Sequence, residues 1–256
     1  MVLSISGLNF NYGKKVILKD LNFNLNQGQT LAILGPNGIG KSTLLRILLS
    51  LLPLQSGEII LNGQNFKELG LKERAKLIGY VPQSEKPAFA FKVVDMIMLG
   101  KNASIGLFNT PSKKDFEDAR QAAILAGCEH LLEQKIDELS GGQMQLVLIA
   151  RAIISKPKLL IMDEPTSFLD TTHQDEILSL ISRLNHQGIC VIFSSHYADH
   201  VFMVSHQSLL LNGEQGYIYG DTQKILNQQN LYNLFKKEFI LAQIEGKTRI
   251  LPRWSI

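Results

Sequence analysis

The chain contains the segment Gly35-Pro36-Asn37-Gly38-Ile39-Gly40-Lys41-Ser42-Thr43, from which the core of its fold can be inferred. The segment fits the pattern GxxxxGK[ST], whose glycines let backbone N–H groups turn inward around phosphate oxygens. We expect Lys41 to reach the β- and γ-phosphates of a nucleotide, and the Ser42 hydroxyl is placed to coordinate Mg²⁺. Ile39 is compatible with this role because the cradle is made of backbone. The segment therefore predicts a loop that binds a nucleoside triphosphate.

The sequence on either side of this loop predicts a parallel sheet. Thr30–Leu34 is almost wholly apolar, which is typical of a strand buried on both faces. An apolar helix is expected from Leu44 to Leu52, ending near Pro53. Further strands are expected at Leu159–Met162 and Ile189–Phe193, with a helix between them. This strand–helix–strand order implies parallel strands and an α/β fold.

Other segments predict what surrounds this sheet. The period-two alternation of Leu21–Asn26, and the run Glu58–Leu61 before an Asn-Gly turn, predict strands and a hairpin in the N-terminal part. Residues from about 85 to 152 have a helical pattern and are expected to form an inserted α-helical subdomain. One of its helices should be capped by Ser112 and end at Gly127.

The C-terminal part is expected to add a helix and a hairpin. The pattern weakens after Gly213, where we predict one helix around Gln223–Phe235 and a hairpin across Gly246. We accordingly predict one large domain over residues 1–240 and a short tail over residues 241–256.

The composition excludes several classes of protein. The 256 residues carry a net charge of +3, which is too small for bulk attraction to nucleic acid, so no nucleic-acid partner is expected. Hydrophobic residues make up 45% and charged residues 19%, which excludes a disordered chain. Cys128 and Cys190 cannot build a disulfide framework and are expected to be small buried residues. The most apolar stretch, Leu44–Leu54, is well short of the roughly 20 residues that span a bilayer, so a membrane role would come through a partner.

Two adjacent carboxylates follow the predicted strand Leu159–Met162. We expect Asp163, at the carboxyl end of this strand and beside the phosphate-binding loop, to hold the metal ion, usually through water. Glu164 lies one residue further and points elsewhere, so it is expected to polarise an attacking water. The alternative is that both are solvated surface charges, which a neighbouring phosphate-binding loop disfavours.

A second motif, Leu139-Ser140-Gly141-Gly142-Gln143, is the LSGGQ signature of ATP-binding cassette (ABC) ATPases, and the chain resembles them over about residues 1–240. The resemblance implies a P-loop NTPase (RecA-like) core with a parallel sheet, an N-terminal antiparallel β subdomain and the inserted helical subdomain. It implies ATP and Mg²⁺ as cofactors. Further residues match family motifs in the expected order: the adenine-stacking Tyr12, the Q-loop Gln83 as catalytic residue and metal ligand, the D-loop Asp170 and the catalytic switch histidine His196.

The signature motif is expected to form a second anion site. Ser140 can cap a helix that begins at Gly141, and the two glycines expose its N–H groups. In the family, this motif closes on the γ-phosphate held by the other subunit, so that two cassettes sandwich two ATP molecules head to tail. The resemblance therefore implies that the working form is a homodimer.

One residue departs from the family pattern. The D-loop, Ser167–Asp170, usually carries a small residue where Phe168 stands, and this loop packs against its twin in the dimer. We expect the large ring either to reshape that contact and slow hydrolysis, or to point into the core of its own subunit.

The segment Gln83–Lys101 is where family members dock on a polytopic membrane permease. Its pattern V-x-D-x-[IV]-x-[LM]-G-[RK] resembles ATPases of type II importers for ferric siderophores, haem and cobalamin, and the similar molybdate/tungstate importer. Phe89, Phe91 and Met98 could serve either docking or core packing. The resemblance implies a peripheral ATPase at the cytoplasmic face of the inner membrane, linked indirectly to an extracytoplasmic binding protein.

Three other classes of protein share these motifs. DNA-repair and chromosome-structure ATPases insert a long coiled coil between the two motifs, but the segment from Lys41 to Ser140 is short and has no heptads. A translation factor of the superfamily carries two cassettes on one chain, whereas this chain has one. The single-cassette ATPase of iron–sulfur cluster assembly, which works with a soluble scaffold and is not a transporter, is the alternative that the motifs leave open.

Overall fold

The structure, a computed structural model, describes residues 1–85, 89–101, 111–213 and 216–253. The strands in these ranges are β1 (Leu3–Tyr12), β2 (Lys15–Leu25), β3 (Thr30–Leu34), β4 (Ser56–Leu61), β5 (Gln64–Asn65), β6 (Ile78–Val81), β7 (Leu159–Met162), β8 (Cys190–Ser195), β9 (Gln207–Leu211), β10 (Tyr217–Asp221), β11 (Phe239–Ile244) and β12 (Lys247–Pro252). The α-helices are α1 (Lys41–Leu48), α2 (Leu71–Leu77), α3 (Val93–Met98), α4 (Lys113–Ala126), α5 (Gly141–Ile153), α6 (Thr171–His186), α7 (Ala198–Val204), α8 (Thr222–Ile225) and α9 (Gln228–Phe235).

A 6-stranded sheet forms the centre of the molecule, in the order β10-β9-β3-β8-β7-β6. All neighbouring pairs are parallel except β10 with β9 at one edge. Every residue of β3 is buried, because Ala32 and Leu34 face one apolar cluster and Leu31 and Ile33 face another. The carboxyl ends of the parallel strands meet at one edge, where ligands bind in such sheets. The predicted α/β class with a parallel sheet is confirmed.

The helix after the phosphate-binding loop ends earlier than predicted. α1 covers Lys41–Leu48 and so stops before Pro53. Ser50 adopts a φ of +61°, and the Leu51 N–H donates to the Arg46 carbonyl at 2.8 Å. This left-handed ending satisfies the last carbonyl groups of the helix before the chain reaches the proline.

The N-terminal part forms a separate antiparallel sheet in the order β2-β1-β4-β5. Asn62 and Gly63 join β4 to β5, and both have positive φ (50° and 80°), as a type I′ turn requires. The inner face of the sheet includes Leu3, Leu8 and Phe10, which are buried in one cluster with α1 and β3. The expected antiparallel β subdomain is therefore present.

Helices α3, α4 and α5 form the inserted helical part. The Ser112 side chain caps α4 by accepting a hydrogen bond from the Asp115 N–H, and the helix ends at Gly127 with a φ of +84°. Its inner face buries Ala119 and Ala123. These helices share one apolar cluster with α6 and one face of the central sheet, so the insertion packs directly on the sheet core.

The helix predicted over Gln223–Phe235 is instead two helices, α8 and α9. Asn227 leaves the helical conformation, and its side chain caps α9 by accepting from the Asn230 N–H at 2.9 Å. The break arises because asparagine competes for backbone groups more effectively as a cap than inside a helix.

The chain continues into an antiparallel hairpin of β11 and β12 that turns at Gly246. Position 240, after which we predicted a tail, lies inside β11. Arg249 of this hairpin pairs with Asp199 of α7 at 2.6 Å, and Ile250 is 2% exposed. The hairpin therefore packs on the rest of the chain.

Candidate active site

The phosphate-binding loop connects β3 to α1 at the carboxyl edge of the central sheet. Gly40 has a φ of +116°, and a Cβ at this position would lie 2.8 Å from Ile17 Cγ2, so the backbone requires glycine here. Lys41 is 5% exposed, and its Nζ donates to the carbonyls of Gly35 and Pro36 at 2.8 and 3.2 Å. Beside the loop is a polar cavity of about 300 Å³, lined by Asn37, Gly38, Gly40, Lys41, Ser42, Thr43, Arg46, Gln83 and Glu164.

Lys41 carries its charge into a buried position. Burial lowers the pKa of its ammonium group, while the carboxylates of Glu164 and Asp163 act in the opposite direction. The Nζ atom lies 3.5 Å from Glu164 Oε1. A phosphate at this loop would meet a poorly solvated cation, and charges attract each other more strongly where water is excluded.

Asp163 lies beside the loop, directly after β7. Its Oδ1 accepts hydrogen bonds from the Ser42 hydroxyl at 3.3 Å and from the Ser194 hydroxyl at 2.6 Å. The strands β7 and β8 pair with Met162 opposite Phe193, so Asp163 and Ser194, one residue further along, meet at the carboxyl edge. The carboxylate and hydroxyl oxygens of Asp163 and Ser42 are the kind of ligand that Mg²⁺ prefers.

Ser194 is a residue of this cluster that the sequence analysis missed. It is fully buried, donates to Asp163 and accepts a hydrogen bond from the Glu164 N–H at 2.8 Å. It therefore ties both carboxylate residues to β8. The available signal was a hydroxyl residue near the end of a strand, two positions before His196, but its partner follows only from the pairing of β8 with β7.

Glu164 makes contacts with residues from four separate segments. Its φ of +46° lies in the left-handed region that residues other than glycine rarely adopt. Its Oε2 accepts hydrogen bonds from Gln83 Nε2 at 3.1 Å and Ser167 Oγ at 2.9 Å. Together with Lys41 and His196, these residues form a cluster in which the Glu164 side chain is only 11% exposed.

His196 lies close to Glu164 without a hydrogen bond to it. Its Nδ1 is 3.3 Å from Glu164 Oε2, but the angles are unsuitable for hydrogen bonding, so this buried nitrogen has no hydrogen-bond partner among the described residues. The ring lies against that of Tyr197, with centroids 4.0 Å apart and planes tilted by 41°. Because an unpaired buried polar atom is costly, the arrangement fits a site that accepts one more polar group.

The signature motif forms the N-terminus of α5, apart from the cluster around Glu164. Ser140 caps the helix: its Oγ accepts from the Gln143 N–H at 3.3 Å, and the Gln143 side chain accepts from the Ser140 N–H at 3.0 Å. Gly141 is exposed, with open space where a side chain would stand. Within the described ranges, no hydrogen bond or ion pair joins this motif to the phosphate-binding loop. One chain thus presents two separate helix N-termini that attract anions.

Two more of the expected site residues lie outside the cluster. Asp170 caps α6 by accepting a hydrogen bond from the backbone N–H of His173 at 2.9 Å, and its carboxylate also contacts the ring Nδ1 of His173 at 2.7 Å. These hydrogen bonds lower the pKa of Asp170. Tyr12 is 46% exposed, and its ring contacts Phe10 edge-on. Both Asp170 and Tyr12 are accessible to a ligand or to a second chain.

Phe168 does not point into the core of its own subunit. It is 90% exposed and has a φ of +65°, because the turn of the D-loop directs its side chain outward. The expectation that the ring fills its own core is therefore wrong.

Comparison with known proteins agrees with this arrangement. The family model described as ABC transporter matches residues 18–167, a span that contains the phosphate-binding loop, the carboxylates Asp163 and Glu164, and the signature motif. The chain belongs to the ABC transporter family.

The relatives of this ABC ATPase match it over most of its length. It is 40% identical to the molybdate import ATP-binding protein MolC of Haemophilus influenzae, over 96% of this chain and 92% of that protein. It is 34% identical to the iron(3+)-hydroxamate import ATP-binding protein FhuC of Bacillus subtilis, over 82% and 78%. A solved structure described as an inward-facing ABC transporter of the metal-chelate type has a TM-score of 0.87 at 37% identity, covering 99% of this chain and 98% of that one. The predicted family, fold and ATPase activity are confirmed.

Proposed function

We propose that this ABC ATPase powers the import of a metal chelate or an oxyanion through a membrane permease. The observation that carries the proposal is the identity of 40% over 96% of the chain with a protein named for molybdate import. The 34% identity with an iron(3+)-hydroxamate import protein supports the same class of cargo. No observation favours the iron–sulfur assembly ATPase, which is retained as an outcome of the test below.

The cluster at the carboxyl edge of the sheet supports the binding of ATP and Mg²⁺. We assign the backbone of the phosphate-binding loop and Lys41 to the β- and γ-phosphates. Ser42 and Asp163, whose oxygens are 3.3 Å apart, would hold Mg²⁺, with the Gln83 amide as a further ligand. Bound there, the ion would neutralise charge on the phosphate oxygens. We assign Tyr12, which is half-exposed, to the adenine ring.

Glu164 is the group best placed to act on the attacking water. Its carboxylate is held by Gln83 and Ser167, and the Ser194 hydroxyl fixes its backbone. A carboxylate fixed in this way can accept a hydrogen bond from water and orient it toward the γ-phosphate. His196, whose buried Nδ1 has no hydrogen-bond partner among the described residues, would hydrogen-bond to the same reacting groups.

The second anion site supports a head-to-tail homodimer. Among the described residues, no hydrogen bond or ion pair joins the N-terminus of α5 to the phosphate-binding loop of the same chain. This helix N-terminus is nevertheless capped by Ser140, and Gly141 leaves it open to a ligand. We assign Ser140–Gln143 and Asp170 of one cassette to the ATP held by the other. Each dimer would then contain two complete ATP sites.

The surface near the Q-loop supports docking on the permease. Phe89 is 71% exposed, and its ring contacts Phe91, while Leu99 is 41% exposed. Met98 is 6% exposed and packs in the core instead. Residues 86–88, which belong to the expected docking segment Gln83–Lys101, lie outside the described residues.

The chain is expected to reach the membrane through that permease. Among the described residues, no helix has both the length and the apolar character needed to cross a bilayer. A peripheral position on the cytoplasmic face would give the ATPase access to ATP, and an extracytoplasmic binding protein would deliver the cargo to the permease.

Purification and reconstitution test the proposal. The chain should co-purify with a polytopic membrane protein, and vesicles containing the complex should take up one of molybdate, a ferric hydroxamate or cobalamin when supplied with ATP. Glu164→Gln, which keeps the shape of the side chain, is the matched control and should abolish uptake. Co-purification with a soluble iron–sulfur scaffold and no membrane protein would instead support the alternative.

A further inference from the structure

One side chain packs directly against the signature motif. His173 lies in the first turn of α6, and its imidazole abuts the backbone of Gly142 in the first turn of α5. A Cβ on Gly142 would lie 2.0 Å from Cδ2 of this ring and 2.6 Å from its Nε2. Nothing larger than hydrogen fits between them, so the ring occupies the space that a side chain at position 142 would need.

The other edge of the same ring is bound to the D-loop. His173 Nδ1 lies 2.7 Å from Asp170 Oδ2, and the backbone N–H of His173 donates to Asp170 Oδ1 at 2.9 Å. An ionised carboxylate only accepts hydrogen bonds, so Nδ1 carries a proton. With Nδ1 held by Asp170, the Cδ2–Nε2 edge is the one that faces Gly142.

This contact connects the inserted helical part of the chain with the part that forms the central sheet. The helix α5 belongs to the inserted helical part, whereas α6 follows the D-loop and returns the chain to β8 of the central sheet. The His173 side chain is 26% exposed, so it lies at the margin of the packed interior. The signature motif and the D-loop are the two elements that the proposed dimer brings to the partner's ATP site.

We propose that His173 is a positioning residue that couples the signature motif to the D-loop within one cassette. The inference rests on the proposed head-to-tail dimer and adds to it a link by which both motifs approach the partner's nucleotide as one unit. The ring is rigid and is held at both edges, so it sets the position of the Gly141 and Gly142 N–H groups relative to Asp170. Correct relative placement of groups around a reacting bond contributes strongly to catalysis.

Kinetics of single substitutions provide the first test. His173→Ala should lower kcat about tenfold with little change in KM for ATP, the factor expected from the loss of a hydrogen bond to a charged group. His186→Ala, an exposed histidine at the other end of α6, is the matched control and should change neither constant. A lower melting temperature with unchanged kcat would mean that His173 serves folding only and would overturn the coupling.

A double substitution provides the second test, with ATP-driven dimerisation measured in the Glu164→Gln background. Gly142→Ala should abolish dimerisation because the methyl group collides with the His173 ring. Adding His173→Ala frees that space and should restore dimerisation to the level of His173→Ala alone. No restoration would show that Gly142 is needed only for the approach of phosphate, and the coupling would be wrong.

The same measurements separate this inference from the proposed function. If the Glu164→Gln parent stays monomeric with ATP, the proposed dimer fails and this inference fails with it. If the parent dimerises and His173→Ala both dimerises equally well and keeps the kcat of the wild type, the inference alone is overturned.

Discussion

Replacing Phe168 with alanine tests what an exposed aromatic ring does at the tip of the D-loop. The ring is 90% exposed in the single chain. In the sequence it lies between Glu164, which is assigned to the ATP of its own chain, and Asp170, which is assigned to the ATP of the partner. An apolar side chain of this size gains free energy when a second chain covers it. We therefore expect Phe168→Ala to weaken the ATP-bound dimer while leaving the monomer as stable as before.

The size of the effect follows from the exposure of the ring. Burying a phenylalanine side chain that was exposed stabilises the buried state by about 1.5–3 kcal/mol. A symmetric dimer contains two such rings, so their removal should cost roughly 3 kcal/mol or more, which is at least about a hundredfold in the dimer dissociation constant. The monomer should lose no more than about 0.5 kcal/mol, as is usual for an exposed position.

Sedimentation with ATP in the Glu164→Gln background measures the dimer without hydrolysis, and thermal unfolding without nucleotide measures the monomer. Phe116→Ala, which removes another partly exposed ring (47%) from α4, is the matched control and should leave dimerisation unchanged. If opening of the dimer limits turnover, Phe168→Ala should also raise kcat. An unchanged dissociation constant for Phe168→Ala would refute the reasoning.

Three further substitutions test the assigned roles. Glu164→Gln should bind ATP but hydrolyse it about 10²–10⁴ times more slowly, because the amide cannot act as the anionic acceptor that orients water; turnover near that of the wild type would remove Glu164 from this role. Lys41→Ala should lose nucleotide affinity as well as rate, since it removes a buried cation from the loop, and unchanged binding in calorimetry would contradict the assigned cradle. Ser140→Arg should leave ATP bound at the phosphate-binding loop, as photo-crosslinking would show, yet block closure because it removes the cap of α5 and obstructs its N-terminus. Efficient crosslinking between two Ser140→Arg chains would argue against two half-sites per chain.

Features that depend on a few neighbouring residues could be predicted from the sequence. The glycine-rich loop that ends at α1, the strand Thr30–Leu34 before it and the capping of α5 by Ser140 all occur as expected. The cap at Ser112 and the helix end at Gly127 do as well. In each case the signal and the structure lie within a few residues of each other, because glycine conformation, side-chain capping and apolar alternation act over one turn or one strand.

Other features depend on partners that are distant in the chain. The end of α1 at Leu48 requires Ser50 in a left-handed conformation, and the neighbouring residues do not predict that conformation. Ser194 joins the site only because β8 pairs with β7 at one particular register. The outward direction of Phe168 follows from the turn that the D-loop makes before α6.

The two kinds of feature differ in whether they depend on local chemistry or on tertiary packing. Motif chemistry identifies the groups that can bind phosphate, because a glycine-rich turn before a helix attracts anions in any fold that presents it. The relations between motifs depend on packing and on strand pairing. His173 meets Gly142 only after the inserted helices have packed on the central sheet. Gln83 meets Glu164 only because β6 pairs with β7. Burial of apolar surface drives that packing, but the hydrophobic effect is not directional. Which distant side chains come into contact is therefore decided by the assembled tertiary structure.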